Sequence, residues 1–252
     1  MIDGARTTDP PNEQVTVALL TGGRGTRLQP LTTVFPKPLV PLGDKPVLEI
    51  LLRQLARHRF RNVILATGYL SELLMAVVGD GSKYGVSVTY RREETPLGTA
   101  GPLALLRDTL TDPFLVMNGD LLTTLSFSAL LDYHRREQND ATVAVYPREV
   151  RIDFGLIERG DDGRFSGYRE KPVYRFEVSM GVYAMSRSVL QYVPDGAKLD
   201  MPDLISRIHE AGGRVGCYRE DCYWLDIGRT DDYAVATDEF QKRREQFLPR
   251  HG

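Results

Sequence analysis

Arg27 and Lys37 are two cations set just beyond three glycines, in the segments Leu19-Leu20-Thr21-Gly22-Gly23-Arg24-Gly25-Thr26-Arg27-Leu28 and Phe35-Pro36-Lys37-Pro38-Leu39. Gly22, Gly23 and Gly25 let the main chain turn sharply, so amides from Leu20 to Thr26 can approach an anion without Cβ obstruction. Arg27 can fork onto two phosphate oxygens, whereas Lys37 acts as a point charge. Pro36 and Pro38 restrict the backbone on either side of Lys37 and partly preset its direction. Together these groups suit the holding of a triphosphate. Neither a Walker loop nor a Gly-x-Gly-x-x-Gly dinucleotide fingerprint fits the segment. A glycine cluster alone would serve equally well as an ordinary strand-to-loop turn; the adjoining cations turn the reading toward phosphate.

Two carboxylates stand in comparable settings. Asp120 follows the apolar run 114–117, and Asp226 follows Tyr223-Trp224-Leu225. Either alone reads as a turn or cap residue. Magnesium is commonly held by one or two carboxylates, with water and phosphate oxygens completing its octahedron.

These residues need a scaffold, and the hydrophobic periodicity supplies one. Residues 15–20 read as a buried strand, Leu48, Leu51, Leu52, Leu55 and Ala56 recur at helical spacing, and 63–67 reads as a strand again. Ser71 is placed to cap a helix through 77, strand 86–90 follows, and a helix over 99–107 precedes strand 114–117. Alternation of this kind predicts an α/β fold: a Rossmann-like, mostly parallel sheet flanked by helices, with ligands at the carboxyl ends of its strands. Strands expected at 142–146, 155–158, 165–170, 179–185 and 215–218 crowd the second half and predict antiparallel additions, making the sheet mixed. Asp200 is placed to cap a helix over 201–211, and Thr230 or Asp231 a final helix through 246. One domain over 15–252 is expected, behind a mobile, polar extension over 1–14.

Composition narrows the class. The 252 residues carry a formal net charge of −2, so there is no basic footprint for nucleic acid. No apolar run reaches the ~20 residues of a membrane span, and the N-terminus lacks a secretory pattern, which predicts a cytoplasmic protein. Cys217 and Cys222 read as reduced thiols, and His58, His134, His209 and His251 have no metal spacing. The charged run Lys242-Arg243-Arg244-Glu245 reads as a solvated helix face.

The run GGRGTRLQPLT…FPKPLVPLGDKPVLE resembles the signature of the sugar-1-phosphate nucleotidyltransferases, the NDP-sugar pyrophosphorylases. Four further segments match in the family's order: Glu94-Thr95-Pro96-Leu97-Gly98-Thr99-Ala100-Gly101, Asn118-Gly119-Asp120, Glu170-Lys171-Pro172 and Trp224-Leu225-Asp226-Ile227-Gly228. The resemblance implies a nucleotide-diphospho-sugar transferase fold, here without the hexapeptide-repeat β-helix that some relatives append. It implies Mg²⁺-dependent transfer of a nucleoside monophosphate from an NTP to a sugar 1-phosphate. Asp120 and Asp226 would hold the metal, Arg27 would contact the departing pyrophosphate and Lys37 the transferred α-phosphate. Leu20, Gly22, Gly23, Gly25, Thr26 and Gly98 would line the nucleotide site.

On the sugar side the resemblance points to Lys171 on the sugar phosphate and Glu170 on sugar hydroxyls, with Gly155 and Ser179 lining the pocket. Met180 departs from the small or hydroxylated residue often found in that stretch. Segment 96–103 is similar to the GDP-mannose pyrophosphorylase branch, which favours GTP and mannose 1-phosphate or a related hexose or heptose phosphate. Uridylyl or thymidylyl transfer to glucose or amino-sugar phosphates is the alternative, and a non-catalytic, nucleotide-sugar-binding regulator is the alternative of another class. The resemblance also implies a homodimer.

Overall fold

Thr16–Leu20 carries apolar side chains on both of its faces, as a strand covered on two sides must. In the computed structural model, which describes residues 11–248, it lies within a seven-stranded sheet. The order across that sheet is Val215–Arg219, Ala141–Arg151, Val173–Met185, Phe114–Asn118, Thr16–Leu20, Asn62–Thr67 and Ser87–Arg92. Only Val173–Met185 runs against its neighbours, so the sheet is mixed and mostly parallel.

The period-2 alternation of the strands divides the core. Val17 and Leu19 face a layer with Leu48, Leu51 and Leu55 from helix Val47–Arg57, Leu74 from Ser71–Val78 and Leu130 from Phe127–Glu137. Ala18 faces the opposite layer, with Leu103, Leu106, Leu204 and Ile208. A third cluster holds Leu28, Leu42, Ile50, Leu122, Ile227, Phe240 and Phe247. It seats the C-terminal helix Thr230–Lys242 and, through Ile227, anchors the short strand Trp224–Asp226, which pairs antiparallel with Leu121–Thr123. Among the described residues no helix is long and apolar enough to cross a membrane.

Several local expectations change. In place of a helix over 99–107 there is a 3₁₀ turn, Gly101–Leu106; Pro102 sits in its first turn, and the Ala100 and Gly101 amides both donate to Leu199 O, outside the turn. Asp200 precedes helix Met201–Glu210, but its carboxylate accepts from Thr99 N at 3.1 Å, while Thr99 Oγ1 accepts from Met201 N at 2.7 Å. The cap therefore comes from a distant threonine. Ser71 is the first residue of its helix, and Leu70, at φ +54°, holds the position before it. Arg229 precedes the C-terminal helix, so neither Thr230 nor Asp231 caps it. That helix breaks at Arg243, whose guanidinium lies over the Tyr223 ring, and resumes as Arg244–Phe247 to bury Phe247.

Of the expected extension, residues 1–10 lie outside the described residues. Asn12–Gln14 forms a 3₁₀ turn, and Asn12 donates to His58 O and Ser128 Oγ, so this part packs against the domain. His251 also lies outside the described residues. The strands Ala141–Arg151 and Val173–Met185 are longer than expected and pair along most of their length. At their far end is the hairpin Leu156–Arg159 with Phe165–Arg169, where Phe165 is 68% exposed.

Phe240 is fully buried in the third cluster. Phe240→Ala is therefore expected to lower stability by about 3–5 kcal/mol in urea unfolding. A loss below about 1 kcal/mol would show that the C-terminal helix is not part of the cooperative core.

Candidate active site

The carboxyl ends of Thr16–Leu20, Asn62–Thr67 and Phe114–Asn118 open onto a cleft of 540 Å³. Leu20, Gly22, Gly23, Gly25, Thr26, Arg27, Lys37, Gly98, Asp120 and Asp226 all line it. The glycine loop is held by its own hydrogen bonds. Thr21 N and Thr21 Oγ1 both donate to Ala66 O, at 2.9 and 2.8 Å, and Thr32 Oγ1 donates to Gly25 O at 2.7 Å. Gly25 has φ +60°, and a Cβ there would lie 2.9 Å from Thr32 Cγ2. Gly98 has φ +79° and leaves only 2.5 Å between a Cβ and Leu199 O. Both positions exclude other residues by conformation and by space.

Charge organises the floor of the cleft. Lys37 begins the 3₁₀ turn Lys37–Leu39 between its two prolines, and its ammonium donates to Asp120 Oδ2 while lying 4.0 Å from Asp226 Oδ1. The Lys37 and Asp120 side chains are only 13% and 18% exposed, so the pair is largely desolvated and each charge depends on the other. Burial first, and then the Asp120 charge, push the Asp226 carboxyl above the usual carboxylate range, against the pull of Lys37 and Arg27. Strand pairing fixes this arrangement: Asp226 stands opposite Leu121, and Ile227 N donates to Asp120 O at 3.2 Å.

Two carboxylates within reach of one ammonium, one of them destabilised by the other's charge, form a hard-oxygen donor set suited to a partly hydrated divalent cation. The described residues contain no group of three or more His, Cys, Asp or Glu side chains fit for a metal, so such an ion would draw its remaining ligands from water and substrate oxygens.

The residues expected on the sugar side are not part of this lining. Gly155 lies against Tyr168 and Glu170, and Tyr168 Oη donates to Glu170 Oε2 at 2.9 Å. Lys171 follows with φ +41°. Ser179 Oγ accepts from Gly181 N at 3.2 Å and pairs with Tyr183 Oη at 2.9 Å. Met180 is buried, and its carbonyl accepts from Trp224 Nε1.

Arg24, Glu93, Pro96, Thr99, Pro102 and Asn118 also line the cleft. Asn118 lies within a quoted motif, whereas nothing in Arg91-Arg92-Glu93-Glu94 separates Glu93 from its neighbours. Glu93 turns inward because Leu97 N donates to its Oε2 at 3.0 Å, and burial raises its carboxyl above the ordinary range.

A nucleotidyl transferase family model matches residues 16–243. The chain is 30% identical over 234 residues to a UTP–glucose-1-phosphate uridylyltransferase of Synechocystis sp., covering 85% of this chain and 60% of that protein. It is 34% identical over 238 residues to the mannose-1-phosphate guanylyltransferase catalytic subunit beta of Danio rerio, covering 92% and 66% respectively. It thus spans less than two thirds of the length of these curated relatives. Among solved structures, a candidate glucose-1-phosphate thymidylyltransferase of Bacillus anthracis, crystallised with sucrose, superposes with a TM-score of 0.73. That match is at 22% identity and covers 92% of this chain and 98% of that one, which shows a shared fold.

Because the Asp226 carboxyl titrates at higher pH folded than unfolded, stability falls as pH rises from its ordinary value of 3.8 through the raised folded value, and stays reduced above it. Asp226→Asn is therefore expected to raise the urea midpoint at pH 7 without divalent ions, and the gain should vanish near pH 3. Equal midpoints at pH 7 would contradict this charge arrangement.

Proposed function

The chain belongs to the nucleotidyl transferase family, and from that premise we propose that it transfers a nucleoside monophosphate from an NTP to a sugar 1-phosphate, releasing pyrophosphate. The observation that carries this reading is the Lys37 ammonium set between Asp120 and Asp226 beside a glycine-rich loop. Both substrates are anions, so the main physical problem is to bring their phosphates together. The sugar phosphate oxygen is already ionised at neutral pH and can attack the α-phosphorus directly, without a side-chain base.

In this reading the loop amides from Leu20 to Thr26 cradle the polyphosphate, and Arg27 holds the pyrophosphate as it departs. Lys37 meets the α-phosphate, where charge accumulates during displacement. Asp120 and Asp226 would hold Mg²⁺, whose chemistry is to neutralise and orient the triphosphate. Gly155, Glu170, Lys171 and Ser179 are proposed to receive the sugar phosphate from outside the nucleotide cleft.

GTP is the proposed nucleotide, with mannose 1-phosphate or a related hexose or heptose phosphate as acceptor. The Glu93 carboxylate, bound to Leu97 N in the segment that ends at Gly98, supports this choice. A carboxylate can accept from the two adjacent N–H groups on one edge of guanine, whereas uracil and thymine offer one N–H between carbonyls. The guanylyltransferase named for Danio rerio supports the same choice, and the Synechocystis uridylyltransferase supports UTP with glucose 1-phosphate as the second reading.

Pyrophosphate release measured with Mg²⁺ across five NTPs and several sugar 1-phosphates is expected to be strongest with GTP; activity confined to UTP would transfer the assignment to the second reading. Lys37→Ala is expected to lower kcat about 10²–10³-fold, roughly 3–4 kcal/mol, while KM for the NTP changes little. Near-full turnover by the folded variant would remove Lys37 from the reaction.

A further inference from the structure

We propose that Arg24 is a polyphosphate-binding residue that grips the β and γ phosphates of the incoming nucleotide, and pyrophosphate in the reverse direction; this deepens the function proposed above and rests on it. Three cations line the cleft, Arg24, Arg27 and Lys37, and so do three carboxylates, Glu93, Asp120 and Asp226. Their formal charges cancel, so a triphosphate finds no general excess of positive charge. What matters is which cation remains uncommitted.

Lys37 is engaged by Asp120 and faces Asp226. Arg27 acts on Asp226 as well, and its Nη2 lies 3.6 Å from the position a Cβ on Gly228 would take. Neither arginine forms an ion pair among the described residues, but Arg27 carries its charge toward Asp226, whereas Arg24 rests against an aromatic ring. Arg24 stands between Gly23 and Gly25, inside the loop whose amides would meet the phosphates.

That ring orients it. The guanidinium lies 5.9 Å from the centroid of the Tyr69 ring. Tyr69 is in turn tied to this part of the cleft at both ends: its amide donates to Gly22 O at 3.5 Å, and its hydroxyl donates to Thr33 O at 3.2 Å. A guanidinium resting on an aromatic ring keeps edge N–H donors available, and those donors match phosphate oxygens in a forked geometry. A charged, loop-borne fork without an internal counter-ion, steadied by a fixed tyrosine, is therefore built for a mobile polyanion.

The test compares wild type, Arg24→Gln and Arg24→Lys in two ways. Calorimetric titration with inorganic pyrophosphate is expected to show binding weakened about tenfold in Arg24→Gln, with Arg24→Lys between it and wild type. In the reverse reaction KM for pyrophosphate should rise by a similar factor, while KM for GDP-mannose, which carries no leaving pyrophosphate, stays within about twofold. Unchanged pyrophosphate binding in Arg24→Gln, or equal losses for pyrophosphate and GDP-mannose, would overturn the proposal. Selective loss of pyrophosphate binding in a protein that turns over no NTP would instead uphold Arg24 and overturn the proposed reaction.

Discussion

The shared ammonium of Lys37 is the interaction on which the rest of the cleft depends. A largely buried lysine is tolerable only beside a carboxylate, and a buried carboxylate only beside a cation. Asp120 supplies one partner from the end of a sheet strand and Asp226 a second from far along the chain. Trp224–Asp226 must therefore be carried back to the sheet's carboxyl edge, and its pairing with Leu121–Thr123 does so. The third hydrophobic cluster, with Ile227, Phe240 and Phe247, is the packing that keeps it there.

The same geometry suits a nearly neutral cleft to the two polyanions of the proposed reaction. Asp226 is strained by burial and by Asp120, and the approach of a cation relieves that strain. The protein's own positive charges are placed singly rather than massed: Lys37 at the carboxylates, Arg27 toward Asp226 and Arg24 in the loop. In the proposed reaction, discrete placement would reward a correctly seated triphosphate and give a stray anion little. It also fits a reaction in which the protein contributes position and electrostatics and supplies no nucleophile of its own.

Much of this was legible in the sequence because local rules govern it. Glycines at Gly22, Gly23 and Gly25, prolines around Lys37 and apolar runs before Leu20 and Asp120 each fix a short segment's behaviour, and Leu20, the three glycines, Lys37 and Asp120 meet in one cleft. Tertiary partners decided what was missed. Residues 99–107 carry helical spacing, but Leu199 draws the Ala100 and Gly101 amides away, and the exchange between Thr99 and Asp200 joins two segments that no local pattern connects. Glu93 is distinguished from Glu94 only by its bond to Leu97 N and its burial. Gly155, Glu170, Lys171 and Ser179 have motif wording, yet their place on and beside the long strand pair lies outside the nucleotide cleft.

The most direct test of a direct displacement organised by charge is its stereochemical course. With an NTP carrying a chiral α-phosphorothioate, a single in-line attack by the sugar phosphate predicts an NDP-sugar inverted at the α-phosphorus. Net retention would require two displacements and a covalent nucleotidyl-protein intermediate, which would contradict the roles given to Lys37, Asp120 and Asp226.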